Sequence, residues 1–178
     1  MSDIVYRVPA RSWDEIEDTA DLYRRAFGLD HYPKLRIIEF MEKALDHQLE
    51  MFRLEVGEYS TMGNAEGLAC PRGSFIRLRE DVYEAAIKGQ GRARFTAAHE
   101  LGHHVLHSHS PMARVMPGQR IAQFEHSEAQ ANHFAAALLM PRAFFDRKDD
   151  VETICYRHGV SKSAAKNRFN YLFSKGVI

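Results

Sequence analysis

The feature that most constrains this chain is the run His99-Glu100-Leu101-Gly102-His103. On a helix, residues four apart stand one turn above each other on a single face. Two imidazoles so placed can grip one zinc ion while the glutamate beside the first reaches water held there. The reading therefore demands a helix. Phe95, Ala98, Leu101 and Val105 supply an apolar flank for one over Arg92 to His107, so the pattern predicts a metal-binding helix sunk against a core. Seven of the ten histidines (His99, His103, His104, His107, His109, His126 and His133) fall between positions 99 and 133, which marks this stretch as the one carrying chemistry.

A zinc ion that does chemistry needs a third protein ligand and leaves its fourth position to water. One source is His109, ten residues after His99, which matches every histidine of the H-E-x-x-H-x-x-G-x-x-H pattern of the metzincin proteases. The glycine that turns the chain in that pattern is Leu106 here, so the helix is expected to run on and carry His109 away from the metal. The other source is the next helix, expected from Ser127 to Leu139 and ended by Pro141. Ser127 and Gln130 stand at capping-box spacing, which places Glu128 at the start of that helix, and Asn132 lies one turn beyond, where it could orient a ligand. Taken alone, Glu128 reads as a solvated acid favoured by the helix dipole. Beside the histidine pair it becomes the preferred ligand, with Glu125 as the lesser alternative.

The rest of the chain predicts an α+β fold, mostly helical. Helices are expected over Ser12 to Phe27, opened by the capping-box pair Ser12 and Glu15, over Lys34 to His47, and over Asp81 to Lys88. Alternation at Phe52, Leu54 and Val56, then Gly67-Leu68-Ala69 and Phe75 to Arg79, predicts a small antiparallel sheet packed beside the H-E-x-x-H helix. Asp150 to Arg157, the turn His158-Gly159-Val160, and Ser161 to Leu172 have helix-turn-helix proportions, so residues 1–141 and 142–178 are expected as a main domain and a C-terminal unit packed on it.

With 24 basic and 24 acidic side chains, the surface as a whole is not built to hold nucleic acid or an anionic membrane. The charge is nonetheless uneven: residues 1–60, 61–141 and 142–178 net to −5, +1 and +4. Lys162, Lys166 and Arg168 share a side of the last helix, which makes a DNA contact conceivable but secondary. Two cysteines, Cys70 and Cys155, no leader pattern and no apolar run near 18 residues point to the cytoplasm and away from a membrane.

Two longer strings carry a resemblance. Phe95-Thr-Ala-Ala-His-Glu-Leu-Gly-His103 with Leu106-His107, followed by Glu128-Ala-Gln-Ala-Asn-His-Phe-Ala-Ala-Ala-Leu-Leu-Met-Pro141, resemble the ImmA/IrrE family of zinc metallopeptidases, in layout from about Met51 to the C-terminus. The resemblance implies Zn(2+) held by His99, His103 and Glu128, with Glu100 as the catalytic base. Gln130 stands where many members carry a second glutamate, which leaves the ligand set intact. A mostly helical fold around a small sheet is implied as well. So is a protein substrate, a repressor or related transcription regulator, here a separately encoded partner because the chain shows no repressor domain of its own. For the oxyanion, Tyr83, Arg94 and His107 are candidates by proximity, and His107 is also placed to buttress the site. The competing class is a zinc-stabilised regulator that cuts nothing and binds a protein or DNA through its C-terminal unit.

Overall fold

The computed structural model describes residues 6–116 and 118–178; residues 1–5 of the expected main domain, and Pro117, lie outside it. A short strand, β1 (Tyr6–Arg7), leads into α1 (Trp13–Ala26). The capping box forms as expected: Ser12 Oγ accepts from the Glu15 amide at 3.2 Å, and Glu15 Oε2 accepts from the Ser12 amide at 2.6 Å. The helix buries Ile16 and Ala20. Next comes α2 (Ile37–Glu39), which continues as a π-helical segment over Phe40–Gln48 and buries Phe40, Met41 and Leu45. It starts three residues later than its apolar pattern suggests. The Pro33 and Leu35 carbonyls are taken by His158 and Arg94, so this stretch of backbone is held outside the helix.

The sheet is built from β2 (Arg53–Gly57), which is followed by α3 (Tyr59–Met62), then β3 (Gly67–Ala69) and β4 (Phe75–Arg79). Its order is β2-β4-β3, with Ile76 and Leu78 of the central strand fully buried. Strands β3 and β4 pair antiparallel, as their tight connection requires, with Gly67 opposite Leu78. The β2–β4 pair corrects the expectation of an antiparallel sheet, because it is parallel, Arg53 opposite Phe75. The chain leaves β2 through α3 and returns two strand positions away, and β4 then fills the gap running in the direction of β2.

A short α4 (Glu80–Ile87) precedes the long α5 (Gly91–His107), which carries the histidine motif. Beyond it, β5 (Ala113–Arg114) pairs with β1, a ladder too short to leave a period in the sequence. Then comes α6 (Ser127–Leu139), packed against α5 at Gly102. A Cβ on Gly102 would lie 3.0 Å from the Ala131 carbonyl oxygen, so a side chain there would press the two backbones apart by a few tenths of an ångström.

The C-terminal helices are α7 (Val151–His158), capped by Asp150 and ended by Gly159 in the left-handed region, and α8 (Lys162–Ser174), capped by Ser161. Two arginines fasten them to the rest of the molecule. Arg94 of α5 donates to the carbonyls of Leu35, His158 and Gly159, and the Gly91 backbone sits so close to Val160 that a Cβ there would clash with its carbonyl carbon. Arg168 of α8 donates to the Met140 carbonyl at 3.0 Å and closes a two-pronged ion pair with Glu17 of α1. Burial alone would raise the Glu17 pKa, but Arg168, with His133 beside it, brings it down to about 2. Losing either partner of such a pair strands a buried charge, at about 3–5 kcal/mol, so the pair fixes how α8 sits on α1. Arg168, expected on a basic outer face, is thus 2% exposed, and Lys162 is engaged by Glu152.

Candidate metal centre

The close crossing of α5 and α6 builds the site. Gly102 precedes His103 and Ala131 follows Glu128 by one turn, so the close contact at the glycine also carries the Glu128 carboxylate across to the histidine face. Glu128 Oε2 lies 3.1 Å from His99 Nε2, and Oε1 lies 3.2 Å from His103 Nε2. The two Nε2 atoms are 3.0 Å apart. Among the described residues, these three form the cluster whose ligand atoms all lie within 4.8 Å of one another. The other ring nitrogens are engaged behind them: His99 Nδ1 meets Asn132 Oδ1 at 3.0 Å, and His103 Nδ1 meets His107 Nδ1 at 3.1 Å.

This donor set fits zinc. Two imidazole nitrogens and a carboxylate oxygen are ligands zinc accepts at about 2.0–2.2 Å, which puts tetrahedral neighbours roughly 3.3 Å from one another, close to the separations found. Electrostatics agree. Hydrogen bonds from His103 and His99 outweigh burial and hold the Glu128 carboxyl well below the usual range. Burial pushes the His99 imidazole down, but Glu128, with Glu100 and Asn132, outweighs it and leaves the ring above its ordinary value. A metal ion and a proton compete for the same lone pairs in such a cluster.

Glu100 faces the cleft from beside the first histidine and is 8% exposed. Burial raises its pKa, against His99, His103 and the amide of Ala69, so it is poised to take up a proton. Its methylene packs directly on β3: a Cβ on Gly67 would lie 2.5 Å from Glu100 Cγ and 2.8 Å from Oε1. Gly67→Ala is therefore expected to displace the carboxylate while the metal cluster stays in place. Cleavage should fall by roughly 10²-fold, as for a 1 Å misplacement, with zinc content and melting temperature near the parent's. Metal analysis and a melting curve run beside the assay check this.

The competing ligands lie elsewhere. After α5 ends, His109 turns into the left-handed region at φ 61° and donates its amide to the Pro71 carbonyl at 2.9 Å, away from the cluster. Glu125 pairs with Arg7. The oxyanion candidates are also spent: the Tyr83 hydroxyl binds Glu42, which pushes it up to about 12, Arg94 serves three carbonyls, and His107 stands behind His103. Ser127 and Gln130 do not form a capping box. Ser127 is the first helical residue, and Gln130 reaches His107 and the carbonyls of Pro9 and Phe124. The spacing of His107 from His103 is readable in sequence; the partners of Gln130 are not, because they come from far along the chain.

A cleft of about 960 Å³ opens beside the cluster, between α5, α6 and the N-terminal half of α8, where Ser163, Ala164 and Asn167 form a wall. Its other border is the open edge of β3. Leu68 pairs towards β4, as do the Glu66 carbonyl and the Cys70 amide, so Gly67 and Ala69 direct their backbone groups to the side where Glu100 lies. No helix among the described residues is long and apolar enough to cross a membrane.

In comparison with known protein families, residues 71–170, more than half of the chain, match Peptidase_M78, the IrrE N-terminal-like domain. The curated proteins return no match.

Proposed function

From the premise that this chain belongs to the IrrE N-terminal-like peptidase family, we propose that it is a zinc-dependent endopeptidase with His99, His103 and Glu128 as metal ligands. The observation that carries this is the convergence of those three side chains beside a buried, proton-seeking Glu100 at the edge of an open cleft. When bound, zinc supplies a Lewis acid that polarises a carbonyl and acidifies water at neutral pH. Glu100 would take the proton from the attacking water and pass it to the leaving nitrogen. The Gly67 backbone and the Ala69 carbonyl would pair with an extended substrate strand laid along β3, which holds the scissile bond against α5.

Such a cleft accepts an extended segment and excludes folded surface, so the substrate would be an exposed loop or linker of another protein. The family resemblance supports a separately encoded repressor-type regulator, met in the cytoplasm, where two free cysteines stay reduced. The DNA-binding reading is weaker. Arg168 is internal, and α8 turns its N-terminal half to the cleft.

Metal removal tests the proposal. The purified chain is expected to hold one zinc per molecule and to cleave members of an unstructured peptide library. A chelator should abolish cleavage and added zinc restore it, read by mass spectrometry of the products. Cleavage that survives complete removal of metal would sink the reading.

A further inference from the structure

We propose that His107 and Gln130 are positioning residues for the metal: a chain of hydrogen bonds starting at the Pro9 and Phe124 carbonyls holds a hydrogen on His103 Nδ1, and so presents Nε2 as the nitrogen that faces the ion. The inference rests on the reading of His103 as a metal ligand.

The chain begins at Gln130, which is fully buried. Its amide nitrogen lies 3.0 Å from the Pro9 carbonyl oxygen and 2.7 Å from that of Phe124. Carbonyls only accept, so both amide hydrogens are spent and the orientation of the amide is settled. Its Oε1 then faces His107 Nε2 at 3.0 Å. An amide oxygen cannot donate, which puts a hydrogen on His107 Nε2. This ring is 3% exposed and has no carboxylate at ion-pair distance among the described residues, so it stays neutral with a single hydrogen. His107 Nδ1 is consequently an acceptor. The nitrogen opposite, His103 Nδ1 at 3.1 Å, must supply the hydrogen between them. With Nδ1 committed to that hydrogen, Nε2, the atom 3.2 Å from Glu128, is the nitrogen left to face an ion, and any proton it shares with Glu128 is the one a metal displaces.

The two rings of the cluster are thus held differently. Behind His99 stands Asn132, an exposed side chain free to turn its amide. Behind His103 stands a buried relay that ends on main-chain carbonyls of two segments, residues 8–11 and 123–125, themselves joined where the Val8 and Arg11 amides donate to Glu125 and Phe124. The order of donors along it admits no reversal without leaving a buried group unpaired, which costs about 1–3 kcal/mol.

Long-range proton–nitrogen spectra of the full chain, metal-free and zinc-loaded, read the tautomers directly. They are expected to show His103 protonated at Nδ1 and His107 at Nε2 in both states. His107→Leu, which removes the acceptor, should weaken zinc binding about 10–100-fold in a chelator competition, the range seen for partners behind a metal ligand. His107→Asn, whose Oδ1 stands where Nδ1 stood, should restore most of that affinity, which a merely space-filling role would not predict. A His103 ring without a hydrogen on Nδ1, in either state, would overturn the inference, and so would a folded His107→Leu chain that binds zinc as the parent does. The spectra need neither cleavage nor a variant that folds, so they decide the relay even if the peptidase reading fails.

Discussion

A Glu128→Ala chain is expected to fold, to purify without zinc and to cut nothing, while His109→Ala and Glu125→Ala keep both metal and activity. The asymmetry follows from position. Glu128 is the second residue of α6, its side chain is half-exposed on the cluster side, and alanine is a good helix former, so the substitution costs α6 little beyond one favourable charge near its N-terminus, about 0.3–1 kcal/mol. The cluster, by contrast, loses the carboxylate that touches both histidines. Removing a group behind a ligand lowers affinity about 10–100-fold, and removing the ligand itself should exceed that. Zinc content after gel filtration reads the outcome, and melting temperatures are to be compared between metal-free forms because bound zinc itself raises stability. If His109→Ala loses its zinc and Glu128→Ala keeps it, the ligand assignment is wrong and the metzincin-like alternative gains.

The placement of Glu128 beside His99 and His103 could be read from local sequence. The spacing of His99, Glu100 and His103 is a property of one helix, and Leu106 in place of a turning glycine argued that α5 would not fold His109 back; both are local facts. α5 does run on to His107 before the chain turns. The capping box at Ser12 was legible for the same reason, since its partners lie three residues apart. Features made between distant segments were not. Nothing local in Arg168 distinguishes a solvated helix cation from the buried partner of Glu17, and the same holds for Arg94, read as an oxyanion candidate and found fastening the C-terminal helices. Ser127 and Gln130 show the converse failure. Their spacing fits a capping box, but Gln130 has a buried imidazole and two carbonyls to satisfy, and that demand overrides the local preference. The parallel β2–β4 pair was hidden because alternation reports which face of a strand is buried and not the direction of its neighbour.

Glu100→Gln is expected to separate metal binding from cleavage. The amide keeps the shape of the carboxylate against Gly67 and lies outside the His99, His103 and Glu128 cluster, so zinc content should match the parent's. It cannot take a proton from water, and loss of a positioned base lowers rates by about 10²–10⁴-fold. A second consequence has the opposite sign. Burial raises the Glu100 pKa in the folded chain, so the stability this group contributes is present below its unfolded pKa and is lost as pH rises through the folded value. Above the unfolded pKa the metal-free parent therefore gives up stability to this buried acid, and at pH 7 the Gln chain should melt higher than the parent under the same conditions. A residue that slows the reaction when replaced while stabilising the fold is held for its chemistry, because packing alone would not keep it. The variant also supplies the means to find the substrate, since zinc and the cleft remain while the bond is not cut, and a bound partner should co-purify uncleaved. Cleavage within tenfold of the parent would remove Glu100 from the mechanism, and an unchanged or lower melting temperature would show that its burial carries no such cost.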